Sequence, residues 1–203
     1  MTSSNVEDLL AERGIILSYK TIRSWCRKFG SEYARRLKRH QGRLGDIGHL
    51  DEVFVRINGE QHYLWRAVDQ DGDVIDILVQ PRRDAEAAQR FFSRLLKSQR
   101  HLPFRLVTDK LGSYRFAHRN GMPLVTHDTS CYGNNRAEAS HQPTRQRERQ
   151  MKRFKSPIHA QRFLHVHGVV QNLFQLGRHR LRSVHHRMLR ARSFSTWAAV
   201  TAA

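Results

Sequence analysis

Cysteine is almost missing from this 203-residue chain, and the two present, Cys26 and Cys131, form no Cys-x-x-Cys pair. That excludes a thiolate zinc site and a disulfide framework. No apolar run approaches the roughly 18 residues of a membrane-spanning helix, and the N-terminus has no signal-peptide core, so a cytoplasmic protein is expected. Internal repeats are absent. The 13 histidines, His165-x-His167 and His185-His186 among them, make no ligand-like set. Acids are scarce as well: 18 Asp and Glu stand against 36 Lys and Arg, a formal net charge of +18. Arg is by far the commoner base, and its planar guanidinium suits bidentate contact with phosphate, so the imbalance indicates a polyanionic partner. A hydrophobic content of 39% still suffices for a folded core.

The charge is unevenly spread. Residues 51–138 are nearly balanced, whereas a single acid, Glu148, follows position 138 among many basic residues. A near-neutral middle with basic flanks suggests a catalytic core whose ends grip nucleic acid. Three parts are expected: a helical segment and basic connector over 1–45, a core over 46–177, and a basic tail over 178–203. In the first part, residues 6–16 read as a short helix ended by Gly14. A second runs from Ser18 to Gly30, with Ile22, Trp25, Cys26 and Phe29 inward and Lys20, Arg23, Arg27 and Lys28 outward. The pair resembles part of a helix-turn-helix, whose outward bases would meet DNA.

The period then changes. Asp51, Val53, Val55 and Ile57 share a strand face, Asn58-Gly59 signals a hairpin, a second strand covers about 61–68, and Asp71-Gly72 turns into a third over 74–79. Asp69-x-Asp71-Gly72-Asp73 lacks the ligating Glu of a calcium loop and reads as a turn. Asp84 can cap a helix bearing Ala88, Phe91, Phe92, Leu95 and Leu96. A buried strand over 104–108 ends at Asp109, followed by a helix through Tyr114 and a brief strand near 123–126. Asn134 to about Arg149 reads as helix despite Pro143, and Ser156-Pro157 starts another that Gly177 ends. Phe194, Trp197 and Ala198 are expected to pack back on the domain. Three antiparallel strands, then helix, strand, helix, strand, are the order of a ribonuclease H-like α/β core with a mixed five-stranded sheet.

Three acids stand apart by position: Asp51 inside an apolar strand, Asp109 at the end of another, and Glu138 on the helix after a polar loop. Most carboxylates are solvated surface groups, so position alone does not make them a site. Were they to converge, hard oxygen ligands would suit Mg²⁺ or Mn²⁺, two ions of which serve phosphodiester chemistry. Trp65 reads as core; His141, one turn from Glu138, could approach the metals but reads rather as structural.

The stretches His49-Leu50-Asp51-Glu52-Val53, Tyr63-Leu64-Trp65-Arg66-Ala67-Val68-Asp69, Arg82-Arg83-Asp84, Thr108-Asp109-Lys110, Asn134-Asn135-Arg136-Ala137-Glu138 and Arg153-Phe154-Lys155-Ser156 resemble, in order, the core of bacterial insertion-sequence family six transposases. The resemblance covers about residues 44–176. It implies a DDE transposase of the retroviral integrase type, with Asp51, Asp109 and Glu138 as catalytic metal ligands. Such an enzyme cuts the inverted-repeat ends of its element and joins the 3′-hydroxyls to target DNA, as a homodimer or larger assembly in the bacterial nucleoid. Arg145, seven positions after the Glu, matches a recurrent base of such enzymes. Lys110, Asn134, Asn135, Arg149, Lys152 and Arg153 join it as expected DNA contacts. Only 28 residues separate Asp109 from Glu138, fewer than in retroviral integrases, and Glu148 is the next candidate. Family members usually have further helical sequence before the equivalent of Val6, so a loosely packed 1–45 region is expected. The rivals are a ribonuclease H-like nuclease or resolvase, and a non-catalytic DNA-binding remnant.

Overall fold

The two-residue period that begins near position 47 folds into a sheet in the computed structural model, which describes residues 3–41, 45–98, 103–130, 134–150, 153–176 and 181–202. The side chains of Ser98, Arg136, Glu138 and Gln150 lie outside that description. Strands β1 (Ile47–Ile57), β2 (Glu60–Asp69) and β3 (Val74–Gln80) make an antiparallel meander. Asn58 and Gly59, with φ of 53° and 87°, form the two-residue turn between β1 and β2, where both central residues need positive φ. Strands β4 (Arg105–Val107) and β5 (Thr126–Asp128) add parallel to β1. The sheet order β3-β2-β1-β4-β5 is the expected ribonuclease H-like arrangement. β5 starts three residues later than expected because residues 122–125 form a turn, the Val125 N–H reaching Met122 O with Pro123 at its second position.

Helices cover both faces. Helix α3 (Ala85–Ser98), capped by Asp84 Oδ1 accepting from the Ala87 N–H at 2.8 Å, and α4 (Gly112–Gly121) bury Phe91, Phe92, Tyr114 and Ala117 against Leu50, Trp65 and Leu106. On the other face α5 (Asn135–Gln150) and α6 (Pro157–Phe174) pack Ala137, Ala160 and Leu164 on Val55, Ile57, Leu64 and Ile77. Ser156 caps α6, accepting from the His159 N–H at 3.1 Å. Trp65 is fully buried, as its strand position required. Gly177, read as the end of α6, lies outside the described residues.

The terminal segments differ from expectation. Helix α1 (Ser3–Ala11) begins earlier, and Gly14 does terminate it: the Ile15 N–H reaches Leu10 O and the Gly14 N–H reaches Ala11 O, with Gly14 at φ 75°. Helix α2 (Tyr19–His40) does not stop at Gly30 but absorbs most of the supposed connector. Gly30 lies inside it, where an added Cβ would meet Val166 of α6 at an ordinary contact distance of 3.6 Å, and it does not act as a stop. Beyond it Glu32 pairs with Arg35 and Arg36, and Ala34 and Leu37 meet α6. The face expected to be inward is largely open: Trp25 is 47% exposed, Phe29 36%, and Cys26 is exposed. Helix α1 packs on α2 and Ile22 is half-buried, but Trp25, Cys26 and Phe29 are left largely to solvent. The basic tail is a helix too, α7 (Ser183–Ala202), with Trp197 and Val200 in the seam with α2 and α6, while Phe194 stays half-exposed. No helix among the described residues is long and apolar enough to cross a membrane.

The Asp71-Gly72 turn has its own electrostatics. Asp69 Oδ1 accepts from the N–H groups of Asp71 and Asp73, both at 2.9 Å. Burial, and then the charges of Asp69 and Asp71, push the Asp73 carboxyl up to about 6 from 3.8. A carboxyl that holds its proton more tightly when folded lowers stability as pH rises: the penalty is absent below 3.8 and complete above about 6. Asp73→Asn is therefore expected to raise the melting temperature by roughly 2–4 °C above neutral pH. Melting at acid pH, with both states protonated, should show no difference; an equal gain at both would mean the charge is not responsible.

Candidate active site

Strand register brings Asp51 and Asp109 together. The pairing of β1 with β4 ends at His49↔Val107, and each acid lies two residues further along. Parallel register therefore carries both to one level, Asp51 within β1 and Asp109 just past the C-terminal end of β4. Asp109 is fixed by its own turn, Oδ1 accepting from the Leu111 N–H at 3.0 Å, while Thr108 Oγ1 donates to the Asp109 carbonyl at 2.8 Å.

Neighbouring residues of a strand point to opposite faces, and Asp51 and Glu52 divide accordingly. Asp51 looks toward α5, where His141 Nε2 lies 3.3 Å from Asp51 Oδ2 without hydrogen-bond alignment. Burial lowers the His141 pKa, against the opposing pull of Asp51, and keeps the imidazole neutral at physiological pH. His141 thus lies against Asp51, the approach to the site that its place one turn from Glu138 allowed. Glu52 looks toward α4: one oxygen accepts from the Tyr114 hydroxyl, and Oε1 accepts from Arg83 Nε at 2.5 Å and is ion-paired with Nη2 at the same distance. Burial raises the Glu52 carboxyl, partly countered by Tyr114 and Arg83. Arg83 Nη2 also lies 3.7 Å from Asp109 Oδ2. One carboxylate oxygen from each of Asp51, Glu52 and Asp109 lies within 4.8 Å of the others. Such an all-oxygen set fits a hard divalent cation.

Glu52, Arg83 and Tyr114 were not read as site residues. Their signal was weak but present: an acid next to Asp51 must face the buried Leu50 side of the strand, and a buried carboxylate requires a partner.

Glu138 lies on α5, and its side chain is outside the described residues. The helix itself is anchored beside Asp51. Asn134 Nδ2 donates to the Leu50 carbonyl at 2.7 Å, Ala137 is buried, and His141 meets Asp51. Position 138, four residues after Asn134 and three before His141, shares that face by helical register. Glu148, ten residues on, is about 15 Å further along the helix.

Among the residues expected to touch DNA, Lys20, Arg23, Arg27 and Lys28 are exposed on α2, and Lys110, Asn135, Arg145, Arg149 and Arg153 are exposed as well. Asn134 is the correction. It is buried, and its amide ties α5 to β1 instead of facing solvent. Lys152 lies outside the described residues.

A family profile described as a DDE domain, that of the IS240-type transposases, matches residues 46–176. Curated relatives include the transposase for the insertion sequence-like element IS431mec and that for element IS257 in transposon Tn4003, both of Staphylococcus aureus. Each is 28% identical over 142 residues, covering 68% of this chain and 63% of the relative. The chain therefore spans less than two-thirds of the length of those relatives. Among solved structures, the Mos1 transposase catalytic domain superposes with a TM-score of 0.47 at 13% identity, covering 85% of this chain and 95% of that one.

Proposed function

Since this chain belongs to the DDE-domain family of bacterial insertion-sequence transposases, the family-six group that its motifs resemble, we propose that it carries out metal-dependent cleavage at the ends of an insertion element and transfer of the freed 3′-hydroxyls into target DNA. The observation that carries this reading is the convergence of Asp51, within β1, and Asp109, just past the end of the parallel strand β4. Asp51 and Asp109, with Glu138 from α5, would hold Mg²⁺ or Mn²⁺, two ions per site. A divalent ion there supplies charge neutralisation and Lewis acidity at the reacting phosphate.

The chain's own residues prepare the site. The Leu111 amide and the Thr108 hydroxyl hold the Asp109 turn, and the α5 anchor at Asn134 sets the position of residue 138. Neutral His141 packs against Asp51 without competing as a cation. The exposed bases of α2 and α5 serve the terminal repeats and the target duplex, and two ends acted on together call for a homodimer or larger assembly.

The test is an assay of the purified chain on a labelled duplex carrying an element end. Nicking and joining should both require Mg²⁺ or Mn²⁺ and stop on chelation. Nicking without joining would recast the chain as a nuclease, and metal-independent binding with neither reaction as a DNA-binding remnant.

A further inference from the structure

We propose that Arg83 binds the reacting phosphate and that Glu52 is its anchor, not a ligand of the cation; the inference rests on the function proposed above. Glu52 lies within ligand distance of Asp51 and Asp109, yet both of its oxygens are already committed. One accepts from Tyr114, the other accepts from Arg83 Nε and is ion-paired with its Nη2, and the side chain is only 1% exposed. Turning that carboxylate to a metal would leave a buried phenol and a guanidinium short of acceptors, which is costly. Asp109 is 39% exposed, and while its Oδ1 accepts from the Leu111 N–H, its Oδ2 has only a guanidinium at 3.7 Å and can serve a cation.

Arg83 has the opposite character. Nε and one Nη are held by Glu52, while Nη1 has no partner among the described residues, and the side chain is 41% exposed. The guanidinium is thus fixed on one edge and open on the other, at the rim of the carboxylate cluster. Even with cations bound, a phosphodiester brings further negative charge to a site built of acids. A fork of N–H donors already held in place meets that charge bidentately with little loss of rotamer freedom. Glu52 acts through Arg83, as a positioning residue, and Tyr114 steadies Glu52.

The experiment uses the full chain and two readouts independent of turnover. Mn²⁺ binding is followed by calorimetry, and affinity for a short labelled duplex by fluorescence anisotropy across a salt series in Mn²⁺. Arg83→Ala should bind Mn²⁺ at least as tightly as the unaltered chain, because a neighbouring positive charge is gone. Its duplex affinity should fall about tenfold, and the slope of log affinity against log salt should shrink by about 0.9. Arg83→Lys should recover only part of the loss, an ammonium being a point charge. Glu52→Gln should keep Mn²⁺ binding and lose duplex affinity, and the double variant should be no worse than Arg83→Ala. Loss of Mn²⁺ binding in Glu52→Gln would make Glu52 a ligand and overturn the proposal. So would an Arg83→Ala chain with unchanged affinity and slope, or additive losses in the double variant. If Glu52→Gln does not fold by circular dichroism, Arg83→Ala decides alone. Failure of the unaltered chain to bind Mn²⁺ overturns the proposed function itself, a different outcome from any of these.

Discussion

Asp51→Asn and Asp109→Asn are each expected to abolish end cleavage and strand joining while metal-free affinity for duplex DNA stays near that of the unaltered chain. The substitutions keep size and remove the charge a cation needs. Loss of an outer-shell partner of a metal site already costs roughly 10–100-fold, so loss of a direct ligand should exceed it. Folding should survive, since Asp109 is well exposed and the contact of Asp51 with neutral His141 lacks hydrogen-bond alignment. Glu138→Gln belongs in the same gel assay of nicked and joined products. Near-normal joining by any one variant removes that residue from the site. An active Glu138→Gln together with an inactive Glu148→Gln would move the third acid about three turns along α5.

Binding of duplex DNA should weaken steeply with salt, each phosphate contact adding about −0.9 to the slope of log affinity against log salt. One patch is identifiable. The His159 pKa is lowered by burial and then by Arg27, Arg23 and Lys155, so α2 and the start of α6 bring these three charges together. The combined Arg23→Ala, Arg27→Ala and Lys155→Ala variant should reduce the slope by about 0.9 for each residue that meets a phosphate. Truncation of the basic C-terminal segment would be a poor test. It would strip Val200 and Trp197 from the seam they share with Ala34, Leu37 and Val169, and lose fold along with charge. Neutralising the exposed Arg187, Arg190 and Arg192 of α7 avoids that. A slope near zero in the unaltered chain, or an unchanged one in the α2 variant, would remove the DNA-gripping role from these surfaces.

Local rules reached far along this chain. Asn58-Gly59, Asp84 and Ser156 announced a hairpin and two caps because their chemistry acts over two or three residues. They failed where a distant partner intervened. Gly30 reads as a helix stop, yet the helix runs on through it and packs Ala34 and Leu37 against Val169 of α6. Ile22, Trp25 and Phe29 have the spacing of a buried face, and burial depends on an element that spacing cannot supply.

The sequence by itself determined the order of strands and helices, the basic flanks and the candidacy of Asp51, Asp109 and Glu138, because periodicity, turn chemistry and charge are written residue by residue. Only the tertiary structure decided which groups share the site. The parallel register of β1 with β4 aligns two acids nearly sixty positions apart, and Asn134 turns inward to hold α5 beside them. Glu52, on the opposite face of β1 from Asp51, is claimed by Tyr114 and Arg83 from two other elements. A buried carboxylate must find donors, and which donors stand within reach is a property of packing that no stretch of sequence around Glu52 contains.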